Sequence, residues 1–249
     1  PTYEQQMLVG LQAAKRAGAK RVTLMHGDNE YGRGPVNVVR KSGAIEKLGL
    51  ELVDTIEFKY DAQDLTAQLL RVKSKNPDVI YIQSSTPQTL VILRDSAKVG
   101  LPPTKFIGNM YNVSPAIPQQ LGAAAEGFRA IQIYADYGAD IPATKEIVLF
   151  KAKNQVAKGD VYYMKGWLEG KVIAAAVENA IKKNGGKLPS DIKAFRRAVR
   201  EETERLDGTD TGGITPPLHY ANHQGSTQAR LSVVRDGKYA SVGDWIDAS

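Results

Sequence analysis

The chain of 249 residues contains no cysteine, which removes disulfides, thiolate metal sites and cysteine nucleophiles together. Such a chain is at ease in an oxidising compartment. Histidine is scarce, with three residues. His219 and His223 stand four apart, but Pro216 and Pro217 just upstream oppose a helix there, and no third ligand accompanies them. No apolar run approaches the roughly 18 residues that a membrane-spanning helix needs. The opening PTYEQQML shows no basic segment leading into an apolar one, so a mature chain whose signal peptide has been removed is expected. There is no Gly-x-Ser-x-Gly elbow. Gly32-x-Gly34 lacks the third glycine of a dinucleotide fingerprint, because Asn37 stands there and Pro35 interrupts the motif. Neither enzyme chemistry nor a metal or other cofactor is expected.

What is present is ordinary globular composition: 42% hydrophobic, 24% charged, net charge +6. The densest basic segment, Lys193–Arg205, is interleaved with Glu201, Glu202 and Glu204 and reads as a solvated helix face rather than a nucleic-acid surface. The most informative stretch is Arg21–Pro35, RVTLMHGDNEYGRGP. Val22, Leu24 and Met25 make a buried strand. Gly27, Asp28, Asn29, Gly32 and Gly34 supply a loop with Tyr31 in its middle, and Pro35 opens the next helix. In an open parallel sheet, loops at the carboxyl ends of strands form the ligand crevice, so Tyr31 marks a candidate small-molecule site.

Around this unit the pattern alternates. Thr2 and Gln5 have capping-box spacing before a helix that ends at Gly18. Helix Val36–Leu48, strand Leu50–Phe58, helix Asp64–Lys75, strand Asp78–Gln83, helix Gln88–Val99, strand Lys105–Gly108, helix Pro115–Leu121 and strand Gly127–Ile133 follow. Thr86-Pro87 reads as a helix cap. The alternation implies an α/β fold with a doubly wound parallel sheet. After the loop Tyr134–Pro142, three helices are expected with no strand between them: Thr144–Val156, Tyr162–Lys183 and Ser190–Glu204. The middle one is apolar over much of its circumference, so burial on more than one side is expected. A hairpin closes the chain: Ala229–Arg235, the Asp236-Gly237 turn, then Lys238–Val242. Helices without a sheet imply that a layer lies outside these residues, about 100–150 of them preceding residue 1.

With these pieces in order, the chain resembles the solute-binding receptors of branched-chain-amino-acid-type ABC transporters, the type I periplasmic binding fold. The segments that carry the likeness are AKRVTLMHGDNEYGRG, DAQDLTAQLLRVKSKNPDVIYI, LRDSAKVGLPPTKFIGN, AAEGF and TPPL…HQGSTQARLSVVRDGKY. The resemblance implies three parts: residues 1–135 as the second-lobe ligand-binding domain, 136–214 as the helical remainder of an incomplete first lobe, and 215–249 as a crossing segment and C-terminal hairpin returning to the second lobe. It implies a periplasmic or lipid-anchored extracytoplasmic protein that captures a small organic ligand in a cleft between closing lobes and docks on a membrane permease. The strand-end loops give the ligand-binding candidates Asp28, Tyr31, Ser84, Ser85, Thr86, Asn109, Met110 and Tyr111. Tyr31 matches the family's stacking tyrosine. Ser85 falls where amino-acid receptors often carry another aromatic, and Met110 where they carry the carboxylate that pairs with the ligand ammonium. A branched-chain amino acid would then lack a partner for its ammonium group, and an aromatic or other carboxylate or amide fits the lining at least as well. The alternative is a cytoplasmic ligand-sensing regulator of the same fold, of the amide-sensor kind. Helix Tyr162–Lys183 is expected to mediate self-association if the first lobe is absent.

Overall fold

The computed structural model describes residues 1–156, 159–189 and 191–248. The chain divides into two compact units, Pro1–Ile133 with Gln228–Ser249, and Tyr134–Thr227.

The first unit opens with α1 (Tyr3–Arg16), whose capping box forms as the sequence predicts: the Thr2 hydroxyl accepts from Gln5 N–H, and Gln5 Oε1 accepts from Thr2 N–H. Strand β1 (Arg21–Gly27) follows, then α2 (Glu30–Lys41), a single turn α3 (Ala44–Lys47), β2 (Glu51–Phe58), α4 (Thr66–Ser74), β3 (Val79–Gln83), α5 (Thr86–Lys98), β4 (Phe106–Gly108), α6 (Ala116–Leu121) and β5 (Arg129–Gln132). The hairpin β6 (Gln228–Arg235) and β7 (Lys238–Asp247) completes one seven-stranded sheet of order β2-β1-β3-β4-β5-β6-β7. The first five strands are mutually parallel, while β6 and β7 join antiparallel.

Both faces of the sheet are covered. Met7 and Leu11 of α1, Val36 and Val39 of α2 and Ile45 of α3 pack on Val22, Leu24, Val79 and Tyr81. On the opposite face Leu69 and Val72 of α4, Ile92 and Leu93 of α5 and Ile117 of α6 pack on Met25, Ile80, Ile82 and Phe106. Each such buried side chain contributes about 1.5–3 kcal/mol. Two-sided burial is why the central strands read as near-continuous apolar runs.

Several boundaries differ from the sequence expectation. The helix expected over Val36–Leu48 is interrupted at Ser42 and Gly43, the latter at φ 66°, so that α2 ends at Lys41 and α3 is separate. Helix α2 begins at Glu30, not after Pro35, because Asn29 caps it by accepting from Gly32 N–H at 2.9 Å. Tyr31 therefore sits in the first turn of a helix rather than in mid-loop. Pro35 inside α2 has no N–H for the Tyr31 carbonyl four residues back, and Gln83 Nε2 donates to that carbonyl instead at 3.2 Å. Strand β7 runs on past Val242 to Asp247. Gly243, at φ 71°, lets the strand bulge where Leu231 faces Val242 and Ala229 faces Ile246.

The second unit comprises α7 (Pro142–Asn154), α8 (Val161–Lys183), α9 (Ile192–Glu204) and the loops around them. Asp160 caps α8 through Tyr162 and Tyr163 N–H, and Asp191 caps α9. Ser190, where the sequence pattern starts the third helix, lies outside the described residues. Contrary to the sequence expectation, α8 buries a single stripe, Met164, Leu168, Val172, Ala176 and Ala180, four residues apart, of which the first three cluster with Ala143, Ile147 and Ile214. Ile173 stays 60% exposed, because within this unit no sheet covers the other side of α8 among the described residues. Among the described residues no helix is long and apolar enough to cross a membrane.

Candidate ligand-binding site

The strand order places β1 between β2 and β3, so the chain leaves β1 to one side for β2 and returns to the other side for β3. At such a switch point the helices that follow the two strands diverge and open a crevice at the carboxyl ends. Four loops meet there, after β1, β2, β3 and β4.

Tyr31, from the turn after β1, is the centre of an aromatic group. Its ring centroid lies 5.0 Å from Tyr3 and 6.0 Å from Tyr111, both edge-on, and Tyr3 and Tyr111 are 6.2 Å apart. The Tyr3 and Tyr111 hydroxyls share a hydrogen bond of 3.2 Å. Burial, then the neighbouring phenols of Tyr3 and Tyr111, push the Tyr31 hydroxyl well above its ordinary range. Burial and the bond to Tyr111 raise Tyr3 to about 12. Tyr3 and Tyr31 therefore keep their protons at physiological pH.

The residues nominated from sequence play different parts in this crevice. Tyr31, Met110 and Tyr111 are half-buried, and the rings of Tyr31 and Tyr111 come together. Thr86, also half-buried, donates its hydroxyl to the Tyr111 carbonyl at 2.7 Å and so fixes that loop. Ser84 and Asn109 are buried scaffold: Asn109 Nδ2 donates to the Ser84 carbonyl at 2.8 Å, Asn109 Oδ1 accepts from Tyr111 N–H at 2.9 Å, and the Ser84 hydroxyl pairs with Thr89. Ser85 occupies the N-cap of α5, yet its hydroxyl does not cap the helix. It bonds to Gln88 Oε1 and to the Tyr60 hydroxyl. Asp28 accepts from Tyr60 N–H at 2.9 Å and faces Lys59 Nζ at 3.1 Å, and these two partners, in that order, depress its pKa. Its charge is matched and its work is to hold the Tyr60 loop.

Two aromatics escaped the sequence reading. Tyr60 follows β2 and brings its hydroxyl to that of Ser85; the strand-end rule that singled out Tyr31 applies equally to Tyr60. Tyr3 belongs to the first turn of α1 and is drawn in because Gln6 Oε1 accepts from Met110 N–H at 3.1 Å. Nothing local in PTYEQQML signals that contact, which depends on β4 and α1 being neighbours at one end of the sheet. Among the described residues no three carboxylates and imidazoles group as metal ligands.

A crevice at this place in a doubly wound sheet is where such folds take up small molecules. The chain belongs to the periplasmic binding protein family, whose pattern matches residues 1–238. It is similar to a solved structure described as an ABC transporter permease from the Pseudomonas fluorescens group, at 22% identity and TM-score 0.83, covering 99% of this chain and 63% of that one. It is also similar to a branched-chain amino acid ABC transporter protein from Thermus thermophilus with bound valine, at 22% identity and TM-score 0.79 over 99% and 65% of the two chains. A fatty acid ABC transporter substrate-binding protein from Thermomonospora curvata gives 19% identity and TM-score 0.79 over 99% and 63%. The chain thus spans about two thirds or slightly less of these relatives' lengths. The curated proteins contain no match to it.

Proposed function

We propose that this chain is the ligand-holding part of an extracytoplasmic solute-binding component of an ABC importer, and that it binds reversibly without chemistry. The observation that carries the reading is the aromatic group of Tyr3, Tyr31 and Tyr111 at the β1/β3 switch point. A crevice lined by rings and hydroxyls, with the Asp28 carboxylate already paired to Lys59, is equipped to hold a small organic molecule and not to move protons. In this reading residues 1–135 and the hairpin within 215–249 form the ligand lobe, 136–214 are helices of the other lobe, and a membrane permease is the downstream partner. An organic acid or amide is consistent with the valine and fatty acid named for two similar structures, and an aromatic or other carboxylate or amide is favoured here over a branched-chain amino acid, since Met110 offers nothing to an ammonium group.

The test is a thermal-shift and calorimetric screen of amino acids, aromatic and aliphatic acids, amides and nucleotides. One class of acids or amides is expected to raise the melting temperature in proportion to RT ln(1 + [L]/Kd), and Tyr31→Ala is expected to abolish the shift. Stabilisation by nucleotides alone, or by nothing in the panel, would sink the proposal.

A further inference from the structure

Tyr3 stands outside every strand-end loop, on the first turn of α1, yet it closes the aromatic group at 5.0 Å from Tyr31. Its position is fixed three ways: by the capping box beneath it, by Gln6 holding both the Pro1 carbonyl at 3.2 Å and Met110 N–H at 3.1 Å, and by its hydroxyl on Tyr111. We infer that Tyr3 is a third wall of the ligand site and that the Tyr3–Tyr31–Tyr111 group receives the uncharged aromatic end of a solute bearing an oxygen acceptor. The inference rests on the solute-binding reading above and narrows it.

Three features of the site set this class. Tyr31 meets Tyr3 and Tyr111 edge to face at 5.0 and 6.0 Å, and Tyr3 and Tyr111 are tilted at 47° with centroids 6.2 Å apart, so the rings leave no gap among themselves that would enclose a cation on several faces, while their outer surfaces can still take a ring. The hydroxyls of the group bond to one another and, from Tyr31, to the Ser84 carbonyl at 3.5 Å, so no charged side chain is hydrogen-bonded to them among the described residues and neither an ammonium nor a carboxylate finds an opposite charge in these bonds. The hydrogen-bond ledger leaves one proton over. Tyr3 and Tyr111 have two hydroxyl protons and spend one on each other, so the second can be donated outward. Tyr60 and Ser85 have none to spare, since Ser85 donates to Gln88 Oε1 and therefore accepts from Tyr60, while Gln88 Nε2 returns to the Tyr60 carbonyl at 2.8 Å.

The experiment is an NMR titration of the chain carrying ring-labelled tyrosine, with benzamide, benzylammonium and leucine as probes, in wild type and in Tyr3→Leu, Tyr3→Phe and Tyr31→Leu. Millimolar affinities are readable this way. Benzamide is expected to shift the Tyr3, Tyr31 and Tyr111 rings and to bind about tenfold more weakly to Tyr3→Leu and about threefold more weakly to Tyr3→Phe, with the amide spectrum of each variant otherwise unchanged. Benzamide binding that responds to Tyr31→Leu but to neither Tyr3 variant overturns the role of Tyr3. Tighter binding of benzylammonium or leucine overturns the ligand class while leaving solute binding intact. If benzamide fails but another acid or amide binds in the thermal-shift screen, the inference falls and the broader reading stands; if that screen is also empty, the broader reading falls first.

Discussion

Tyr3 and Tyr31 keep their protons past the point where a free phenol gives its own up, and the cause is local: burial first, then the adjacent phenols. An acid whose folded pKa lies above its unfolded value of 10.0 contributes stability that is complete below that pH and is lost as pH rises through the folded value, about 12 for Tyr3. Alkaline titration followed by phenolate absorbance should therefore resolve a late group among the eleven tyrosines, smaller by one in Tyr3→Phe. A single transition near pH 10 for all of them would refute this. Asp95 of α5 shows the opposite sign. Its carboxylate is fully buried; burial pushes its pKa up, but Arg94, Lys98 and the Leu65 N–H outweigh that and bring it down to about 2. Its contribution is complete above the ordinary value of 3.8 and disappears as pH falls through about 2. Asp95→Asn should cost about 1–2 kcal/mol at pH 7 and flatten the acid limb, measured by urea denaturation from pH 7 to pH 2. Identical curves for variant and wild type would remove Asp95 as the tie between α4 and α5.

At the scale of elements, the turn from β1 into α2 carries the site, and Gly32 is its tightest point. A Cβ there would lie 2.2 Å from the Gly27 carbonyl oxygen, against backbone that cannot swing aside. Gly32→Ala should cost about 1–3 kcal/mol and displace Tyr31, read as a lower melting temperature together with loss of ligand shift; a variant as stable as wild type would show that the turn has slack. This same turn marks how far the sequence could be read. The α1 capping box, the Asp236-Gly237 hairpin and the buried strands were legible because each depends on residues within a few positions of one another. The start of α2 was obscured because glycines and Pro35 carry the local signal of a loop, while the bonds that make it helical, Asn29 to Gly32 and Gln83 to the Tyr31 carbonyl, combine one near partner with one on β3. Tyr3 was hidden for a related reason: its place in the aromatic site follows from strand order, which alternation of helix and strand leaves undetermined. Tyr60 was within reach of the strand-end rule and was passed over. For α8 the composition was read correctly but its burial was not, since apolarity all round states what a helix could bury and not what is there to cover it.

For the molecule as a whole, the large exposed apolar side chains gather in the second unit: Val148, Leu149 and Phe150 on α7, Tyr162 and Ile173 on α8, Leu188, and Ile192 on α9, with Leu149 73% exposed. Apolar surface on this scale is unusual for a free monomer. The chain on its own is expected to self-associate through α7 and α8, so sedimentation velocity should show species heavier than 27.1 kDa that grow with concentration and revert to monomer in Leu149→Glu/Ile173→Glu. A concentration-independent 27.1 kDa species would count against it. The sheet has a further consequence in time. β5 waits for its antiparallel partner β6 until all of Tyr134–Thr227 has been made, so on the ribosome the first five strands emerge with one flank unzipped. During that interval the backbone of Arg129–Gln132 is a template for any other extended segment, and the hairpin that arrives last serves as the clasp that retires it.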